Sequence, residues 1–119
     1  MTIVLLPFPP STNNLFFTTK YGRARTQRYD SWIQEAGNEI LRQRPRKVAG
    51  PVKLKFEFQE IDRRPRDISN LIKAPEDLLV KHGIIERDDN SIVRGISADW
   101  AEVEGCRVTI EPIFSNGAA

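Results

Sequence analysis

Residues Val52 to Phe58, VKLKFEF, alternate between apolar and charged side chains. A strand sends successive side chains to opposite faces, so Val52, Leu54, Phe56 and Phe58 share one face while Lys53, Lys55 and Glu57 share the other. Such a strand sits in a sheet whose apolar face must be covered. The rest of the chain therefore has to provide further strands and the elements that cover them.

Two stretches have helical periodicity. Over Ser31 to Arg44, the residues Ile33, Ala36, Gly37, Ile40 and Leu41 recur at helical spacing. Ser31 and Gln34 fit a capping box, Arg42 and Arg44 suit the negative end of the helix dipole, and Pro45 ends the segment. Asn70 to His82 is the second, with Leu71, Leu78 and Leu79 as its stripe and Gly83 as its stop. Pro75 requires that the regular helix either begin near it or kink there. Thr2 to Leu6 reads as a short buried strand, stopped by Pro7, Pro9 and Pro10. Leu15 to Thr26 reads as a loop or irregular strand. Ile92 to Trp100 and Cys106 to Ile113 read as final strands, joined as a hairpin by Glu102 to Gly105. The expected order is strand, helix, strand, helix, strand, strand. This is an α+β domain with a mixed sheet and two main helices. A length of 119 residues fits one domain, placed at residues 1–114, with 115–119 as a frayed tail.

Net charge is only +2, so the placement of charge says more than its sum. Arg23, Arg25 and Arg28 form one basic cluster. Arg42, Arg44, Arg46 and Lys47 form a second, and Arg63, Arg64 and Arg66 a third. Clustered cations point to a polyanionic partner, although each cluster alone also reads as solvated surface. The single cysteine, Cys106, permits no internal disulfide and suits a reducing cytoplasm. Its place in a strand-like run marks it as a buried, inert thiol. No stretch is long enough to span a bilayer, and Met1 to Leu6 lacks the basic lead of a signal peptide.

The chemistry concentrates between Arg63 and Ile92. Asp67 stands at the mouth of a helix, Lys73 inside its start, and Asp88 and Asp89 after its end. A chain that folds back can gather these carboxylates and the lysine. Phosphodiester cleavage needs such groups: carboxylate oxygens suit Mg²⁺, and an ammonium can hold phosphate oxygens. The same residues also read as a helix cap, a surface lysine and a polar turn.

The segment Arg66-Asp67-Ile68-Ser69-Asn70-Leu71-Ile72-Lys73-Ala74 resembles the pattern Arg-Asp-x-Asp-Asn-x-x-Lys-Ala of the RusA family of Holliday-junction resolvases. Asp77-Leu78-Leu79, Gly83, Asp88-Asp89 and Ile92-Val93 continue the likeness in order. Pro9-Pro10-Ser11-x-Asn13 resembles the family's N-terminal motif. The likeness implies a homodimeric endonuclease that nicks two strands of a four-way DNA junction with Mg²⁺, or with Mn²⁺ in its place. It maps the essential carboxylates to Asp67, Asp89 and the position of Ser69, and the essential lysine to Lys73. Asp88 would lie just outside the metal's own ligands. Asn70 and Asp77 would support the site, although Asp77 also suits an ion pair with Lys73. Ser11 and Asn13 would meet DNA beside Arg23, Arg25, Arg28, Arg63, Arg64 and Arg66, or serve only as turn residues.

Ser69 is the main departure, since the family pattern has a carboxylate there. Its hydroxyl could hold a metal-bound water, Glu76 could supply the missing acid, or the chain could bind branched DNA without cutting it. Ser69 also reads as a helix cap. A third function, hydrolysis of small phosphate compounds, would call for a closed pocket. Phe16 and Phe17 read as packing residues before stacking ones. His82 reads as a helix-end residue, and Trp32 and Trp100 as core or interface.

Overall fold

The computed structural model describes residues 1–113. Its strands are β1 (Thr2–Leu6), β2 (Phe16–Thr19), β3 (Gly22–Arg25), β4 (Val52–Phe58), β5 (Val93–Trp100) and β6 (Cys106–Pro112). Its helices are α1 (Gln27–Gln43) and α2 (Lys73–Lys81), with 3-10 turns at Thr12–Asn14 and Ile68–Leu71. Four strands form one sheet in the order β1-β6-β4-β5. β5 runs parallel to β4, while β6 runs antiparallel to β4 and β1. The sheet is mixed and two helices cover it, the α+β architecture expected.

β4 occupies the predicted residues and a central place. Val52, Leu54, Phe56 and Phe58 are buried with Val4, Leu6, Val108 and Ile110 against Trp32, Ala36 and Ile40 of α1 and Leu78 and Leu79 of α2. On the other face, Arg107 pairs with Glu57 across the β4–β6 register at 2.9 Å. A parallel β5 needs a crossover, and α2 supplies it.

α1 starts four residues before its expected cap. The Thr26 hydroxyl accepts the Tyr29 amide at 3.1 Å, so Ser31 lies inside the helix and caps nothing. The buried face runs through Tyr29, Trp32, Ala36, Gly37 and Ile40, leaving Leu41 exposed. Two aromatics with polar tips carry that face, which a stripe drawn from aliphatics alone misplaces. The Trp32 indole donates to the Pro7 carbonyl at 3.0 Å. Pro75 sits in the first turn of α2, and Asn70 belongs to the preceding 3-10 turn.

Two other expectations change. Leu15 to Thr26 contains the β2–β3 hairpin, turned at Lys20 and Tyr21. β5 and β6 are not a hairpin, because β4 lies between them. Their connection crosses the end of β4, where the Ala101 amide donates to Phe58 and the Gln59 amide to Gly105, each at 2.9 Å. The apolar β4 needs a partner on both edges, and that need overrides the short link.

Cys106 is buried, and burial pushes its thiol up to about 12, which keeps it protonated and unreactive. Trp100 is half-buried, with its ring edge-on to Phe58 at 6.3 Å. No helix of the described residues is long and apolar enough to cross a membrane. The expected tail at 115–119 and the domain limit at 114 lie outside the described residues.

Candidate active site

The crossover from β4 to β5 carries most of the candidate residues. Lys73 opens α2 and Asp77 follows one turn later, and the Lys73 ammonium lies 3.0 Å from the Asp77 carboxylate. The loop after α2 brings Asp88 within 3.7 Å of the same ammonium. Carboxylate oxygens of Glu76, Asp77 and Asp88 lie within 4.8 Å of one another. The hydrogen bond to Asp77 raises the Lys73 pKa against the opposing effect of burial, and Asp88 adds to the rise. Lys73 is therefore a firmly held cation. Burial, and then the charge of Asp88, raises the pKa of Glu76. Three carboxylates with oxygens this close form a hard-oxygen donor set, so Glu76, Asp77 and Asp88 fit a divalent cation.

Asp67 stands at the N-cap of the 3-10 turn that leads into α2. It is exposed, and its side chain makes no capping hydrogen bond. It lines a cleft of about 390 Å³ with Ser11, Asn13, Arg28, Arg66 and Asn70. The Thr12 hydroxyl donates to the Asn70 carbonyl at 3.0 Å and ties the N-terminal motif to that turn. Two motifs distant in sequence thus share one cleft. Ser69 is exposed and caps neither the turn, whose N-cap is Asp67, nor α2, whose N-cap is Ile72.

Asp89 faces its own turn. Its carboxylate accepts the Ser91 amide at 2.9 Å and the Ser91 hydroxyl, and lies 3.2 Å from the Arg87 guanidinium. The Ser91 bonds lower its pKa and keep it ionised. Asp88, which the family likeness places outside the ligand set, is the member of the pair that meets Lys73. Lys81 carries little weight in the sequence, and Glu76 enters there only as a stand-in for the acid missing at Ser69. The signal for Glu76 is an acid one turn into a helix that begins with the candidate lysine.

The basic clusters divide. Arg64 and Arg66 both bind Asp62, Arg66 at 2.6 Å, and these bonds hold the Asp62 carboxyl far below the usual carboxylate range. Arg66 also lies 5.9 Å from the Phe8 ring centre, so it braces the cleft wall. Among the described residues Arg63 makes no ion pair. Arg42 pairs with Glu39, and Arg44 closes α1 in a left-handed conformation. Arg25 pairs with Asp30 at 2.8 Å, while Arg23 lies 4.4 Å from the Phe16 ring centre. A second cleft, of about 490 Å³, is lined by Phe16, Arg23, Arg25, Tyr29, Asp77 and Lys81 among others. His82 packs against Gly37, and burial lowers its pKa.

Residues 7–111 match the family model for endodeoxyribonuclease RusA. The crossover junction endodeoxyribonucleases RusA of Shigella sonnei (strain Ss046) and Escherichia coli (strain K12) are each 34% identical to this chain over 116 residues. The same holds for the protein of that name from Enterobacteria phage 82. In all three comparisons the match covers 96% of this chain and 86% of the relative.

Proposed function

This chain belongs to the RusA family of endodeoxyribonucleases, and from that membership we propose that it resolves four-way DNA junctions by Mg²⁺-dependent phosphodiester hydrolysis. The observation that carries the reading is the Lys73 ammonium set among Glu76, Asp77 and Asp88, on the helix that Asp67 introduces.

Glu76, Asp77 and Asp88 would hold the metal, with Asp67 presented from the neighbouring cleft. When bound, Mg²⁺ supplies an activated water and neutralises charge on the phosphate. Lys73, kept protonated by its carboxylate neighbours, would hold a non-bridging phosphate oxygen as negative charge builds there. Arg23, Arg25, Arg28 and Arg63 would take flanking phosphates, and Ser11, Asn13 and Asn70 would position the strand beside Asp67. Asp89, fixed by Ser91, would shape the loop that delivers Asp88. The junction has two equivalent strands to cut, so a two-fold dimer with paired sites matches it. A reducing cytoplasm suits the free, buried Cys106.

The test is incubation of a labelled four-way junction with Mg²⁺, Mn²⁺ or chelator. Paired nicks that vanish with chelator are expected. A junction bound but never cut would favour a branched-DNA binding protein, the reading that the missing acid at Ser69 supports. Ser69→Asp adds an exposed oxygen ligand at the one non-carboxylate position of the motif. It should raise single-turnover cleavage at low Mg²⁺ by roughly tenfold. A variant slower than wild type across the whole Mg²⁺ titration would mean that Glu76 already completes the ligand set.

A further inference from the structure

The β2–β3 hairpin stands outside the four-stranded sheet. Isolated two-stranded hairpins are marginal in water, so its anchors matter. They lie at its base. Leu15 is buried, the Thr26 amide donates to the Leu15 carbonyl at 2.9 Å, and Phe16 packs edge-on to Tyr29 at 5.7 Å. The far end has a held backbone but uncovered side chains. The Thr19 hydroxyl donates to the Gly22 carbonyl at 2.7 Å and accepts the Tyr21 amide at 3.1 Å. Tyr21 is nevertheless 89% exposed, and Phe17 is 51% exposed.

A lone exposed aromatic is ordinary. Here two of the aromatics are each paired with a cation. Lys20 lies 5.0 Å from the Tyr21 ring centre, and Arg23 lies over Phe16. No acidic residue occurs from Leu15 to Tyr29, a stretch that also contains Arg25 and Arg28. The Phe16–Arg23–Arg25 side of the hairpin forms one wall of the cleft that reaches Asp77. A phosphate backbone lying along Arg23 and Lys81 would enter the carboxylate cluster with the hairpin tip beside it.

We propose that this hairpin recognises the DNA branch point, with Tyr21 stacking on a base exposed at the junction centre and Lys20 and Arg23 holding the adjacent phosphates. The inference rests on the junction-resolving reading. A continuous duplex keeps its bases stacked, whereas a junction opened at its centre leaves a base-pair face uncovered at the end of each arm. An aromatic tip therefore separates branched from linear DNA, while the cations serve both.

The experiment measures affinity of the full-length chain for a four-way junction and for a linear duplex of one arm's sequence, with Ca²⁺ replacing Mg²⁺. Wild type, Tyr21→Ala and Tyr21→Trp are compared, and 2-aminopurine at the branch reports stacking. Tyr21→Ala should lose roughly tenfold on the junction, within the range for one stacked base, and nothing on the duplex. It should also lose the 2-aminopurine response. Tyr21→Trp should retain both. Circular dichroism confirms that each variant folds. Unchanged junction affinity in Tyr21→Ala, or equal losses on both DNAs, overturns the proposal. A wild type without junction preference removes the resolving function and this inference together. A preference that survives Tyr21→Ala removes this inference alone.

Discussion

Asp67→Asn is expected to abolish junction cleavage, by more than about a hundredfold, while leaving junction binding intact. Changing a partner behind a metal ligand costs up to about a hundredfold, so a residue that itself touches the metal or the reacting strand should cost more. The structure separates function from folding at this position. Asp67 is exposed and its side chain forms no capping bond. Its carbonyl, which accepts the Asn70 amide at 3.1 Å, is unaffected by the substitution. Asparagine keeps the shape and removes the charge. Binding should survive because the phosphate contacts proposed for Arg23, Arg28 and Arg63 lie on other side chains, and one less negative charge favours DNA. The measurement is single-turnover cleavage in Mg²⁺, with binding checked in Ca²⁺. Cleavage retained within a few-fold would mean that Lys73, Glu76, Asp77 and Asp88 work without Asp67.

The legible parts of this protein are those where local pattern and global need agree. VKLKFEF states its own register, and the structure buries the alternate residues that it marks. Pro75 could start a helix or kink one, and it starts one. The unread parts are those where a distant partner decides. Nothing in Glu102 to Gly105 says that β4 will stand between β5 and β6. That follows from the gain in pairing a central apolar strand on both edges. FFTTKYGRAR lacks a strong hairpin signature, and its residues show no apolar–polar alternation that would mark a buried face.

At the site, the motif names Asp67, Lys73, Asp89 and the position of Ser69, with Asp77 in a supporting place, and the i,i+4 spacing already allows the bond between Lys73 and Asp77. Which of Asp88 and Asp89 faces Lys73 is not in the spacing. It depends on Ser91, whose amide and hydroxyl capture Asp89 and leave Asp88 to face Lys73. Glu76 is legible as a stand-in for the missing acid, but its place beside Asp77 and Asp88 is visible only in the fold. The surroundings of the charge clusters are equally illegible. Nothing in the run of Arg63, Arg64 and Arg66 says that Asp62 will pair with the last two and leave Arg63 without an ion pair among the described residues.

Gly105→Ala should lower stability by about 3 kcal/mol. Gly105 has φ +66°, which costs an L-residue roughly 1 kcal/mol. The larger effect is contact. A Cβ there would lie 2.4 Å from the Leu6 carbonyl oxygen and 3.1 Å from the Phe8 amide. Both are backbone atoms, so no rotamer change relieves the clash, and overpacking of this kind costs about 1–3 kcal/mol. Neither side can retreat easily. Leu6 pairs with Cys106 in the β1–β6 register, and Gly105 bonds Gln59 through both its amide and its carbonyl. Small domains hold only about 5–15 kcal/mol in all, so the loss should appear as a drop in melting temperature of about 10 °C. Gly50→Ala is the control. Its φ is +76° and no atom lies within 4 Å of the added carbon, so it should lose only the conformational part, roughly 1 kcal/mol. Urea and thermal unfolding of the two variants beside wild type measure both effects. Equal losses would show that the β5–β6 connection gives way freely. A much larger loss at Gly105 would show that this connection is clamped against Leu6 and Phe8, the segment that runs on into the Ser11 and Asn13 side of the Asp67 cleft.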